Sequence, residues 1–235
     1  MAGAAPANCH MLRPATAAQP DRRTLPPVHL REIRLAARRL EEQRALYAEA
    51  FGLVARRDDG ALVVAIGDAR LVLEPGEPTP QHFAVRIPSA AYADALDWLG
   101  ARVDLLTGED GGRAFAFPDW NADSAYFADP DGNIVELIAH HDLPDPYAPP
   151  FGPSALLGIC EAGMPVADVG AFLDELERRT GAVRWSGNRE TFAAAGTKAG
   201  SLIVVRSGRV WYPTDSAAAT RPPRAVETDA GTLPW

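Results

Sequence analysis

Apolar and polar positions along the chain repeat one pattern three times: an alternating strand, an amphipathic helix, then short strands parted by turn residues. In the first copy His29 to Leu35 alternates as a strand, and Arg38 to Phe51 carries helical periodicity through Leu40, Ala45 and Tyr47. Gly52 closes that helix. Strands follow at 53–57, 61–66 and 69–74, broken by Asp58-Asp59-Gly60 and Gly67-Asp68, both good hairpin sequences. The second copy predicts a strand from His82 to Ile87, a helix from Ala90 to Leu99 ended by Gly100, and strands near 102–106, 113–117 and 124–139. The third predicts a strand over 156–166, a helix over 169–180, and strands near 183–186, 191–195 and 201–206. Glu32 to Gly52 and Glu161 to Gly181 each span 20 residues, so Glu32, His82 and Glu161 take equivalent first-strand positions.

The unit is a βαβββ module and the fold class is α+β. Residues 1–26 read as a disordered lead-in and 27–142 as a domain of two modules. A Pro-rich linker at 143–154, a third, degenerate module at 155–213 and an irregular tail at 214–235 complete the expected organisation.

Composition narrows the function classes. The chain has 235 residues, 47% of them apolar, which is enough for a sizeable core, and no apolar run approaches the roughly 20 residues of a membrane helix. The first residues lack the apolar stretch of a secretory signal, so a cytoplasmic protein is expected. A formal charge of −8 opposes nucleic-acid binding, which needs a phosphate-neutralising surface. Arg38, Arg39 and Arg44 interleave with Glu41, Glu42 and Glu49 as on a solvated helix face. Cys9 and Cys160 share no metal-ligand spacing and make no disulfide framework.

One segment is more specific. Tyr126-Phe-Ala-Asp-Pro-Asp-Gly-Asn-Ile-Val-Glu136-Leu-Ile resembles the closing hairpin of the vicinal oxygen chelate superfamily, the glyoxalase-like metalloproteins. Leu46-Tyr47 before Phe51-Gly52-Leu53 resembles that family's helix end, and His82-Phe-Ala-Val-Arg-Ile-Pro its fifth strand. The resemblance covers 28–141. It implies two modules curved into an open cup with a divalent metal held by side chains from the first, fifth and eighth strands, here Glu32, His82 and Glu136. Two carboxylates and one imidazole balance the charge of a divalent cation and leave positions open, without choosing among iron, manganese, zinc, nickel and magnesium. Ile134, Glu136 and Ile138 share one strand face, so the carboxylate points where apolar neighbours point, and a metal would relieve its burial. The fourth-strand position where glyoxalases often add a glutamate is Val72, with Glu74 two residues on.

Around this triad Arg86, Trp120, Asn121, Asp123 and Tyr126 are the substrate-binding candidates. Asp129-Pro130-Asp131-Gly132-Asn133 builds a tight turn that fixes the register of Glu136. His140 and His141 read as surface residues, Glu161 as structural, and Trp211-Tyr212-Pro213 and Trp235 as packing or interface groups. The expected function is a metal-dependent lyase or isomerase acting on a small oxygenated metabolite, with Glu32 or Glu136 as base. An extradiol dioxygenase relative and a metal-free drug-sequestering protein are the alternatives. An unpaired third module is compatible with a homodimer through that module.

Overall fold

The computed structural model describes residues 28–233. The expected lead-in at 1–26, Cys9 and Trp235 lie outside them. Eight apolar-alternating residues form β1 (Leu30–Ala37), which leads into α1 (Leu40–Arg44). The expected single helix continues as a π-helical turn over Ala45–Ala50 and stops where Gly52 turns left-handed at φ 70°. β2 (Ala55–Asp58), β3 (Ala61–Ile66) and β4 (Ala69–Pro75) complete the first module. The second contains β5 (His82–Arg86), α2 (Tyr92–Gly100), β6 (Phe115–Phe117), β7 (Ala122–Ala128) and β8 (Ile134–His140). The third contains β9 (Gly158–Val166), α3 (Val169–Thr180), β10 (Arg184–Gly187), β11 (Phe192–Thr197) and β12 (Gly200–Arg206). Asp168 caps α3 by accepting from the Ala171 amide at 2.9 Å, and Gly181 ends it at φ 74°.

Three expectations about single segments are corrected. The strand near 102–106 reduces to a single bridge between Leu105 and Phe127, and the 124–139 run is two strands parted by the 129–133 turn. The tail at 214–235, expected to be irregular, carries β13 (Ala225–Thr228) and β14 (Gly231–Thr232).

The modules share one internal strand order: first, fourth, third, second. The second and third join through an antiparallel seam between β5 and β9, giving an eight-stranded sheet β10-β11-β12-β9-β5-β8-β7-β6. The first module stands in a separate six-stranded sheet, β14-β13-β1-β4-β3-β2, where β13 takes the place beside β1 that β9 takes beside β5. The first and second modules were expected to share the cup; the second and third do. The module left without a module partner is therefore the first, and the tail covers its open edge. The main core joins both sheets, with Leu30, Ile33 and Leu71 from one and Phe83, Phe127 and Ala162 from the other. Burying such side chains contributes roughly 1.5–3 kcal/mol each relative to exposure.

The 129–133 turn ties the sheets together. Asp129 accepts hydrogen bonds from the Asp131 and Asn133 amides, the Asn133 side chain and the Gln43 side chain of α1, all within 2.7–3.0 Å. Asn133 Oδ1 in turn accepts from the Gln81 amide at 3.0 Å, which positions the start of β5. Asp129→Ala would strand these donors in a buried place, so a loss of about 2–4 kcal/mol is expected, measured by urea unfolding.

Candidate metal centre

His82 opens β5, buried between the two strands that flank it. Its Nδ1 lies 3.2 Å from the Ile134 carbonyl oxygen, an acceptor, so Nδ1 carries the ring proton. Burial lowers the imidazole pKa, against the opposing pull of Glu136, and the ring is neutral. Nε2 is then a bare lone pair. It faces Oε2 of Glu136 at 3.6 Å and Oε2 of Glu161 at 3.5 Å, with no proton of its own to offer either.

Each carboxylate arrives through strand geometry. Glu136 on β8 pairs with Ala84, so it shares the face of His82. Glu161 on β9 pairs with the same Ala84 from the other side, just before the seam shifts register. That bulge turns Cys160 inward as well, against Ala84 and Ile138. His82, Glu136 and Glu161 are 7%, 3% and 3% exposed, and one ligand atom from each falls within 4.8 Å of the others.

Burial raises both carboxyl pKa values, to about 7 for Glu136, where Glu161 adds repulsion, and to about 8 for Glu161. Ser124 donates to Glu136, and the Tyr126 hydroxyl hydrogen-bonds it too. Metal–ligand bonds of about 2.1 Å at tetrahedral angles place donors about 3.4 Å apart, close to the 3.5 and 3.6 Å seen. The Nδ1 bond to a backbone carbonyl is the arrangement that orients metal-bound histidines. The residues fit a divalent cation.

Trp211 roofs the centre. Its ring lies 5.6 Å from that of His82, its Nε1 donates to the Pro80 carbonyl at 3.0 Å, and it is 3% exposed. Gly163 makes room: a Cβ there would stand 2.7 Å from the indole. Beside it Phe115, Tyr126 and Tyr212 make edge-to-face contacts at 5.0–5.8 Å, and Tyr212 opens to solvent.

Glu32 is not in this centre. It sits in the other sheet, buried, with Oε1 2.6 Å from Arg34 and Oε2 2.8 Å from Arg70. Glu161, expected to be structural, holds the third position, because β9 rather than β1 lies against β5. Val72 is indeed the first-module counterpart of Glu136, pairing with Arg34 two residues after Glu32, and Glu74 bonds Arg34 and Arg224.

Of the substrate-binding candidates, Tyr126 alone adjoins the triad. Arg86 pairs with Asp145 at 2.8 Å, and Asp123 points to the opposite strand face and meets His141 at 2.9 Å. Trp120 packs on Trp185 at 4.6 Å and donates to Ser186, while exposed Asn121 takes a left-handed turn at φ 49°. His140 is buried, not a surface residue, and burial followed by Lys198 lowers its pKa to about 4. Ser124, Glu161 and Trp211 are the residues of this candidate centre that sequence reasoning did not assign to it; the period-two parity of β7 was the available signal for Ser124.

No family model and no curated protein matches the chain. Among solved structures, a provisionally assigned dioxygenase from Bacillus subtilis subsp. subtilis str. 168 matches with a TM-score of 0.59 at 14% identity, over 87% of this chain and 71% of that one. A glyoxalase I variant from Zea mays gives 0.51 at 18% identity, over 86% and 74%. At these identities the likeness concerns architecture: the chain has the fold of the vicinal oxygen chelate superfamily. No helix among the described residues is long and apolar enough to cross a membrane.

A carboxyl whose folded pKa stands above its ordinary 4.5 favours the folded state at low pH and loses that advantage as pH rises through the folded value. Chelator-treated protein should therefore lose thermal stability between pH 5 and pH 8, roughly, as Glu136 and then Glu161 ionise without a cation. Glu161→Gln should flatten that decline. Melting curves across the pH range check both, and an unchanged slope in the variant would contradict the assignment.

Proposed function

We propose that this protein is a divalent-metal-dependent, glyoxalase-like enzyme that acts on a small oxygenated metabolite as a lyase or isomerase. The supporting observation is the convergence of an unprotonated Nε2 and two buried carboxylates, with no lysine or arginine among the described residues to neutralise them. When bound, a divalent metal supplies Lewis-acid stabilisation of negative charge developing on substrate oxygens. His82 would hold it through Nε2, with the Ile134 carbonyl keeping the ring in place. With only three protein donors, such a metal would keep positions free for a substrate with neighbouring oxygens.

The base falls to Glu136 or Glu161. Glu136 is steadied by Ser124 and Tyr126, whereas Glu161 has only the weaker constraint of its strand and is the better placed to swing toward a substrate proton. Trp211 excludes water from the centre, and substrate entry displaces it or the adjoining Tyr212.

A second reading, an oxygenase on an aromatic substrate, draws support from the Phe115, Tyr126 and Tyr212 rings beside Glu136. It requires iron loading and substrate-dependent oxygen uptake. The sequestering alternative needs neither a triad nor a closed roof, and both are features of this cup.

Elemental analysis of protein purified without an affinity tag tests the leading proposal. About one divalent metal per chain is expected, lost in His82→Ala, Glu136→Ala and Glu161→Ala and retained in Glu32→Ala. Metal retained by Glu161→Ala, or lost from Glu32→Ala with folding intact, would overturn the ligand set.

A further inference from the structure

The first module's sheet forms a half-open concavity of about 460 Å³, a volume within the usual range of small-molecule sites. Its floor is a cross-strand row, Arg34–Val72–Val63–Arg56, running over β1, β4, β3 and β2. Arg70 and Glu32 flank the row on one side, Glu74 and Arg224 on the other. Four arginines thus converge on the concave face that, in the other sheet, carries the candidate metal centre.

The two glutamates hold the arginines. Glu32, 2% exposed, meets Arg34 and Arg70 with one oxygen each, at 2.6 and 2.8 Å, and Glu74 meets Arg34 and Arg224 at 3.1 and 2.7 Å. Each of the four carboxylate oxygens faces a guanidinium, both Glu74 oxygens through hydrogen bonds and Glu32 Oε1 through charge alone. A guanidinium carries five N–H donors, so Arg34, Arg70 and Arg224 keep donors beyond those ion pairs. Arg56 has no hydrogen bond or ion pair among the described residues. The five-membered chain Arg70–Glu32–Arg34–Glu74–Arg224 is net positive by one and Arg56 adds another charge, which Asp58 and Asp59 at the rim bring to zero over the whole lining.

Asp58 and Asp59 stand at the exposed hairpin beyond the row, and Glu227 lies beside Glu32 on β13. Water and salt screen the hairpin charges, yet they disfavour a large polyanion. A compact oxyanion group fits better, since guanidinium forks match carboxylate and phosphate in geometry.

We propose that this arginine-lined cavity is a second ligand site, separate from the candidate metal centre, that takes a small carboxylate- or phosphate-bearing metabolite. Arg56 and Arg70 supply the principal donors, and the buried Glu32 serves to position Arg34 and Arg70.

Isothermal titration of the full-length protein with inorganic phosphate and with succinate, each against chloride at matched ionic strength, tests it. Saturable binding with Kd of about 1 mM or tighter is expected for at least one probe, and the stronger probe identifies the oxyanion class. Arg56→Gln, which removes an exposed residue without orphaning a buried acid, should weaken binding about 10-fold or more. Glu161→Ala should leave it unchanged, which separates this site from anion capture at a metal. Absence of saturable binding beyond the chloride control, equal binding by Arg56→Gln, or loss in Glu161→Ala would each overturn the proposal.

Discussion

The antiparallel seam between β5 and β9 is the constraint on which the rest depends. It sets Ala84 opposite Glu136 on one side and opposite Glu161 on the other, so two acids from different modules flank the strand that carries His82. The pairing is backbone hydrogen bonding, indifferent to side chains, but it fixes which side chains meet. A slip of one residue would turn Glu161 to the opposite face, into the apolar core. The bulge at Cys160 matters for the same reason: it ends the register immediately after Glu161 has been placed.

Local elements were legible because periodicity is a local property. The three modules, the helix over 169–180, and the tight turn before β8 follow from alternation and turn chemistry within a few residues. Which modules share a sheet was not legible from that repetition, since β1, β5 and β9 all present an equivalent free edge. A finer signal did exist. Two residues after each first-strand polar position stand Arg34, Ala84 and Gly163, and the fourth-strand partners of Glu32 and Glu161 are Arg70 and Ser201. Small side chains around His82 and Glu161 leave room for a ligand or for Trp211, whereas arginines beside Glu32 take the place at its carboxylate that a cation would occupy.

The short tail strands were hidden for a different reason. Ala225–Thr228 has too few residues to show alternation, and its extended form is stabilised by β1 rather than by its own sequence. Parity separates the substrate candidates in the same physical way. On β7, Ser124 and Tyr126 share the face of Glu136, while Asp123 pairs with Ala139 on the other. A loop position before that strand was therefore weaker guidance than the parity of the strand itself.

A buried carboxylate in a concave sheet has three stabilising partners: a proton, a guanidinium or a metal cation. The two sheets of this protein divide them. Glu32 has taken guanidinium groups, and its cup is consequently lined by arginines whose remaining donors face an open cavity. Glu136 and Glu161 have none among the described residues, so below their raised pKa values protons serve, and above them a cation would take the protons' place. His82 decides between the two outcomes. Its Nδ1 proton is committed to a backbone carbonyl, so as a neutral ring it turns a lone pair toward both acids, and a divalent ion would satisfy all three donors at once. The same module architecture thus sets arginines beside the buried acid in one cup and a histidine beside the buried acids in the other.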